Sequence, residues 1–484
     1  MRHPLPEGFS VVLDARTTLL DAQTFLGGSP PRVLRLTRAG REAWAELTRG
    51  PAHSAGARVL GRRLTDVSAA HPRPPELPVA PAVTVVIPVR DRAAMLRRCL
   101  ASVPSHYPTI VVDDGSADPA EISATAKEFG ATVIRRESCG GPAAARNTGI
   151  AAVRTDAVAF LDSDCVCADD WIRLLAAHLA DPLVAAVAPR IVAVPSRTSA
   201  GRFAARLGAL DMGDRECRVM PGTAVPYVPT AALLVRRAVL QEIGAFDERL
   251  RYGEDVDLIW RIHEAGKLIR YQPQVQVMHS EPEDWAGLLA RRFRYGTSAA
   301  PLGRRHPSAI APLVVHPWPA AVLLGVMARR PVLAALIATL SVVSVTGRWR
   351  RRGLPGSTVI RLAFDGIAQT WFGLGRYCTQ FAGPVLLPVV LAGHGPARPG
   401  RRYRRLVIAA LVLAPPLRAL LSGGCTPDPV RFLAGHLAAN ISYGAGVWAG
   451  CLRQRTLIAV RPAVVWPEWC TLRGVLRARR KVRR

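Results

Sequence analysis

Between Val83 and Leu161, short apolar runs alternate with amphipathic stretches, and that alternation predicts strands and helices in turn. Val83-Thr84-Val85-Val86-Ile87-Pro88-Val89 reads as a buried strand and Ala93 to Val103 as a helix. Thr109 to Asp114 is a second strand, Pro119 to Phe129 a helix, and Ala131 to Arg135 a third strand. Gly141 to Val153 follows a Gly-Gly-Pro turn as a helix, and Ala157 to Leu161 is another strand. Strands that alternate with helices indicate an α/β fold, a mostly parallel sheet with helices on both faces.

The pattern changes on either side. Ser10 to Asp14 with Arg16 to Leu20 reads as a short hairpin, Gly27 to Pro31 as a turn, and Arg32 to Leu47 as mostly helical. These residues predict a small N-terminal α+β module over 1–68. The proline-rich stretch from Ala69 to Pro78 reads as an extended, semi-rigid linker, placed at 69–82. The main domain then runs over 83–300, and 301–484 is an Arg-rich, apolar helical region. In that last part His306–Ala328, Pro331–Gly347, Tyr377–Ala397 and Phe432–Leu452 carry no charged side chain. A membrane-spanning helix needs about 20 apolar residues. The clusters Arg348-Trp349-Arg350-Arg351-Arg352 and Arg401-Arg402-Tyr403-Arg404-Arg405 would stay cytoplasmic. Helices lying flat on anionic lipid and a soluble helical domain are the alternatives.

The net charge of +28 and pI of about 11.2 call for anionic partners: nucleic acid, phospholipid or nucleotide phosphates. Only Lys127, Lys267 and Lys481 are lysines, so arginine carries almost all of it. The positive charge concentrates between the C-terminal apolar windows, and no nucleic-acid-binding motif accompanies it, which favours membrane over nucleic acid. Nine cysteines without a CxxC pair read as reduced thiols. The stretch from Met1 to Gly8 lacks a signal-peptide core, so the catalytic region is expected on the cytoplasmic face of the membrane.

The chemistry gathers at strand ends. Val89-Arg90-Asp91, Asp113-Asp114 and Asp162-Ser163-Asp164 each close a strand, and in a parallel sheet those ends share one edge, where ligands bind. Carboxylates can accept from a base or ribose. A pyrophosphate needs a divalent ion such as Mg²⁺ or Mn²⁺, which sits between carboxylates and phosphates. Two acid groups with different tasks fit a nucleotide diphosphate; a solvated Asp-Ser-Asp turn is the plainer alternative. Arg146, after the small residues from Gly140 to Ala145, could contact base or phosphates, or make an ion pair.

Val85-Val86-Ile87-Pro88, Val112-Asp113-Asp114-Gly115-Ser116, Ala145-Arg146-Asn147-Thr148-Gly149 and Phe160-Leu161-Asp162-Ser163-Asp164 resemble, in order and spacing, the family 2 glycosyltransferases of GT-A fold. The resemblance covers roughly Val83 to His279. It implies a nucleotide-diphospho-sugar transferase with Pro88, Asp91, Asp113, Asp114, Arg146 and Asp162 at the donor nucleotide. Asp164 would hold the metal, and His279 would be the late metal or phosphate ligand unless it is a structural histidine. Many members carry Asn or Glu where Asp91 stands. In Tyr252-Gly253-Glu254-Asp255-Val256-Asp257-Leu258-Ile259-Trp260-Arg261, the resemblance places Glu254 and Trp260 on the acceptor side and makes Asp255 the catalytic base. A base suits inverting transfer, which must take the acceptor hydroxyl's proton. The start of a predicted helix favours the ionised form; first-turn acids serving only the helix dipole are the alternative for Asp255 and Asp257.

A closer resemblance, to the mycofactocin-system branch of that family, rests on Pro6–Phe9, Leu26–Pro30, Ala70–Pro75, Val187–Ile191, Tyr227–Pro229 and Ser298–Leu302. It implies glucose moved from UDP-glucose onto a small peptide-derived redox cofactor, building an oligosaccharide. A family 2 enzyme acting on a cell-wall or lipid-linked acceptor is the alternative, and the first module argues against it. No protein partner can be inferred.

Overall fold

The computed structural model describes residues 3–76, 81–309, 312–350, 355–382, 399–422 and 428–465. They form two compact units that part after Leu288, earlier than the expected boundary at 300.

In the first unit the N-terminal module has β1 (Ser10–Leu13), β2 (Thr18–Asp21), β3 (Thr24–Gly27), β4 (Arg32–Arg35), α1 (Arg38–Arg49), α2 (Ala55–Asp66) and β5 (Ala70–Arg73). The expected hairpin is different: β1 pairs antiparallel with β5, while β2, β3 and β4 form their own meander. The helix expected from Arg32 begins at Arg38, because Thr37 caps it by accepting from the Gly40 N–H at 3.1 Å. Before that cap, Val33 and Leu34 extend the sheet. The expected linker is likewise structured at its start: Ala70–Arg73 is β5, where Pro72 needs no ladder donor at a two-stranded edge. Phe9, Phe25, Leu47 and Leu64 fill the module's core, with Phe25 edge-on to Trp44.

The main sheet is built from β6 (Val83–Val89), β7 (Thr109–Asp114), β8 (Thr132–Arg136), β9 (Ala157–Leu161), β10 (Cys165–Cys167), β11 (Val184–Ala193), β12 (Cys217–Arg218), β13 (Ala232–Arg236) and β14 (Leu268–His279). Its order is β10-β14-β11-β13-β9-β6-β7-β8, with β12 on β14. The strands β9, β6, β7 and β8 are parallel, joined through α3 (Ala93–Ala101), α4 (Pro119–Glu128) and α5 (Pro142–Ala152). Beyond β9 the sheet is mixed: β13 runs antiparallel to β9 and β11, and β14 parallel to β11. The β9 strand is apolar throughout because it lies between β6 and β13 with all five residues buried. Burying one side chain such as Phe160 contributes about 1.5–3 kcal/mol. Helix α5 lies close on this sheet: a Cβ at Gly149 would stand 2.4 Å from Val86 Cγ1.

The first unit also holds α6 (Trp171–Ala176), α7 (Ser199–Leu207), α8 (Arg237–Ile243) and α9 (Glu254–Glu264); α10 (Trp285–Thr297) runs across residue 288, and α11 (Ala299–Arg305) and α12 (Pro317–Met327) begin the helical second unit. It continues through α13 (Pro331–Arg350), α14 (Gly356–Gln380), α15 (Pro399–Ser422) and α16 (Pro429–Gln454). The glycines of the Phe432–Leu452 window are contact points: a Cβ at Gly444 would lie 1.6 Å from the Gln380 carbonyl oxygen. Among the described residues, Arg405–Ser422 is the one stretch long and apolar enough to cross a membrane. The expected window Tyr377–Ala397 lies outside the described residues from 383 onward.

Candidate active site

The corner after β9 is set by backbone. The Asp162 N–H donates to the Ala231 carbonyl at 2.9 Å, and the Cys165 N–H turns back onto the Asp162 carbonyl at 2.9 Å. Then β10 pairs antiparallel with β14, with Cys165 opposite His279, and the Ser280 N–H donates to the Asp164 carbonyl at 3.0 Å. This register brings the two residues expected at a metal together, His279 Nε2 standing 3.6 Å from Asp164 Oδ1. The other ring nitrogen, Nδ1, is 3.2 Å from Glu281 Oε1. In the tautomer that carries its proton on Nδ1 toward Glu281, the imidazole would offer Nε2 beside Asp164 to a cation. Arg92 already contacts Asp164 Oδ2 at 2.8 Å. Among the described residues no cluster of three or more such ligands surrounds one point, so an ion here would draw further ligands from substrate and water. Glu281 was not anticipated; the only signal for it is an acid two residues past His279. Beneath the corner, burial pushes the Cys99 and Cys165 thiols well above the ordinary range, so they pack rather than react.

On the nucleotide side, Asp91 takes a left-handed φ of +54°. Its N–H donates to Ser116 Oγ at 2.9 Å and its Oδ1 accepts from the Ala117 N–H at 2.6 Å, and its side chain is half exposed. Pro88 pairs in register with Val112 one residue short of the edge. Asp113 and Asp114 are buried. Asp113 accepts from the Ser116 N–H at 2.9 Å and pairs with Arg135. Asp114 is held from within the fold: Arg136 Nε at 2.8 Å and the Gly140 and Gly141 N–H groups at 2.9 and 2.8 Å converge on it. Those donors make Asp114 the anchor of the Gly-Gly turn that starts α5.

Arg146 on α5 is buried rather than on the surface, and its guanidinium donates to Asp162 at 2.6 Å and to Glu254 at 3.0 Å. It also lies over the Phe246 ring. Asn147 holds that ring's backbone at both ends, donating to the Phe246 carbonyl and accepting from its N–H at 2.9 Å each. Helix α9 (Glu254–Glu264) thereby starts beside the Asp162 corner. Asp255, half buried, accepts from the Val256 N–H at 2.8 Å. Burial, reinforced by the Glu254 charge, pushes its carboxyl up to about 7. The expected dominance of the helix dipole is thus overturned, since desolvation and a like charge outweigh it. Asp257 is fully buried and paired with Arg261 at 2.7 Å. Trp260, expected on the acceptor side, is buried, with its indole N–H on the Pro226 carbonyl at 2.9 Å.

Residues 84–244 match the family model described as glycosyl transferase family 2. The chain is 38% identical over 477 residues to the pre-mycofactocin glycosyltransferase of Mycobacterium tuberculosis, covering 95% of this chain and 98% of the relative. It is 28% identical to the glycosyltransferase AglE of Haloferax volcanii, over 45% of this chain and 72% of that one. A solved mannosyltransferase from Pyrobaculum calidifontis, bound to GDP-mannose and Mn²⁺, aligns at 18% identity over 73% of this chain and 90% of its own, with a TM-score of 0.39. That last superposition is too loose to place any residue. The chain therefore belongs to the family 2 glycosyltransferases, in the group of the pre-mycofactocin glycosyltransferase.

Proposed function

We propose that this glycosyltransferase moves glucose from UDP-glucose onto pre-mycofactocin with inversion, adding further units to build an oligosaccharide. One observation carries the reading. Arg146 joins the Asp162 corner to Glu254, so donor side and base side form a single site. Asp255 takes the proton of the acceptor hydroxyl as its oxygen attacks the anomeric carbon. The bond from that carbon to the diphosphate oxygen breaks on the opposite face, and the electron pair leaves with UDP. A carboxyl near 7 is matched to neutral pH, where it exists in both forms. Asp164 and His279 would hold Mg²⁺ or Mn²⁺, whose chemistry is to neutralise the departing diphosphate. Asp91, the exposed acid of the nucleotide side, accepts from the base or ribose. The enzyme works at the cytoplasmic face of the membrane, a reading supported by the apolar stretch Arg405–Ser422 and the arginines around it.

The test is a donor screen by mass spectrometry. Purified protein is incubated with pre-mycofactocin and, separately, UDP-glucose, UDP-galactose and GDP-mannose. Hexose additions from UDP-glucose alone are expected. Transfer only from another donor, or only onto a lipid-linked acceptor, would overturn the assignment.

A further inference from the structure

The reaction leaves the N-terminal module without a task, and the structure ties it to one particular segment. Residues 208–231 connect Ser199–Leu207 to β13, and β12 is their only strand among the described elements. A connection of this length inside a compact unit is commonly functional, and ordering it costs backbone entropy at every residue. Its inner side borders the site already described: the Ala231 carbonyl accepts the Asp162 N–H, and the Pro226 carbonyl accepts the Trp260 indole on the helix that carries Asp255.

Its outer side is held by the module. Arg215 donates to Asp14 Oδ1 and to the Gly28 carbonyl, both at 3.2 Å. The Ala224 N–H donates to Ser29 Oγ at 2.7 Å, and Arg73 donates to Glu216 at 2.9 Å. Asp14 is itself fixed by His71 Nε2 at 3.0 Å. The module does not give under this load, because the buried Arg62–Asp181 pair at 2.7 Å and the bond from Arg270 to the Thr65 carbonyl at 3.1 Å fasten it to the sheet domain. Gly28, Ser29, His71 and Arg73 all lie in segments that carry the closer resemblance noted above, and so does Tyr227 within 208–231. The two segments of the module meet residues 215–224 at one junction.

We propose that the N-terminal module is a scaffold for residues 208–231 as the acceptor-side wall, with Ser29 and Arg215 as positioning residues for the acceptor alcohol. The inference rests on the reading of Asp255 as base, since that places the acceptor on the side of the helix this segment supports. Neither residue touches the donor corner. Ala231, whose carbonyl holds Asp162, is fixed by its neighbour Ala232 in β13, so loosening the outer side of the wall weakens acceptor binding and leaves donor binding as it is.

Full-length Ser29→Ala, Arg215→Gln and the double variant test it, with UDP-glucose and pre-mycofactocin as substrates. Each lost hydrogen bond is expected to raise acceptor KM about 2–10-fold, with donor KM unchanged. Hydrogen–deuterium exchange on the same proteins, without substrate, should quicken across 208–231 and stay constant in β6, β7 and β9. Should Arg215→Gln fail to fold, Ser29→Ala alone decides. An unchanged acceptor KM, equal rises in both KM values, or unaltered exchange in 208–231 overturns the inference. If the wild type transfers no sugar to pre-mycofactocin, the functional reading fails, and exchange still reports whether the module holds the segment.

Discussion

Arg146 donates to Asp162 at 2.6 Å and to Glu254 at 3.0 Å, so one buried cation joins the corner proposed to meet the donor to the helix that carries Asp255, the proposed base. Asp162 and Glu254 are both carboxylates, and Asp255 adds a third close by. Without the guanidinium their mutual repulsion would be left to partial solvent screening alone.

Replacing Arg146 with Met should therefore destabilise the fold, by about 3–5 kcal/mol, the usual consequence of removing one partner of a buried pair. Arg146→Lys keeps the charge but cannot span both acids as a fork. It should fold and lose transfer. Urea midpoints for both variants, with turnover for the second, check the assignment; full activity in Arg146→Lys would refute the bridging role.

Asp255 sets a pH dependence. Its carboxyl is raised to about 7, so the ionised, proton-accepting form is depleted as pH falls through that value. The rate should drop about tenfold per pH unit on the acid side, if one ionisation governs it. Burial is the larger cause and the Glu254 charge the next, so Glu254→Gln should move the acid limb to lower pH. Asp255→Asn should lose about 10²–10⁴-fold in rate with donor affinity intact. A profile flat from pH 5 to 8, or a mutant that loses affinity and keeps turnover, would rule out Asp255 as base.

For the metal corner, Asp164→Ala should abolish transfer while the fold is retained, and activity should vanish in chelator. Glu281→Gln should weaken Mn²⁺ binding about 10–100-fold, since a carboxylate behind a ligating imidazole fixes its orientation. Electron paramagnetic resonance of free Mn²⁺ reads this without turnover. Normal turnover in chelator would remove the ion from the reaction, and unchanged Mn²⁺ affinity in Glu281→Gln would remove Glu281 from the site.

Much of the parallel half of the sheet was legible because its strands are apolar on both faces and its connections are single helices. The Asp162-Ser163-Asp164 turn was visible for the same reason: it interrupts a buried strand. Pairings over distance were not visible. Nothing local tells Ser10–Leu13 to join Ala70–Arg73 rather than the residues just after it. The donors that hold Asp114 come from residues 136–141, which only the fold carries back to it. The resemblance placed Trp260 on the acceptor side, and helical spacing does not reveal that the Pro226 carbonyl, 34 residues earlier, captures its N–H. The proton affinity of Asp255 depends on desolvation, which no spacing encodes.

Gly149 turns part of that legibility into a stability test. It closes the Ala145–Gly149 motif, and a Cβ there would lie 2.4 Å from Val86 Cγ1 and 3.3 Å from Val112 Cγ2. Both neighbours belong to buried strands that cannot withdraw. Gly149→Ala should cost about 1–3 kcal/mol by overpacking, read as a lower thermal midpoint; equal stability would mean α5 sits farther from the sheet.

The helical unit exposes apolar surface that water does not favour. Val332 on α13, Leu421 on α15, and Val430 and Leu452 on α16 are each more than two-thirds exposed. Only 11% of the Arg405–Ser422 stretch is buried. At about 1.5 Å rise per residue, its 18 residues reach roughly 27 Å, near the hydrocarbon thickness of a bilayer. Pro415 and Pro416 lie inside α15, and prolines are better tolerated in membrane helices than in soluble ones. Arginines at 401, 402, 404 and 405 suit an anionic lipid surface at one end. The native protein should therefore sediment with membranes, resist a high-salt wash and enter solution in detergent. Release by salt alone would indicate helices lying on the lipid surface. Recovery entirely in the soluble fraction at low salt would show that this apolar face is covered by something other than lipid.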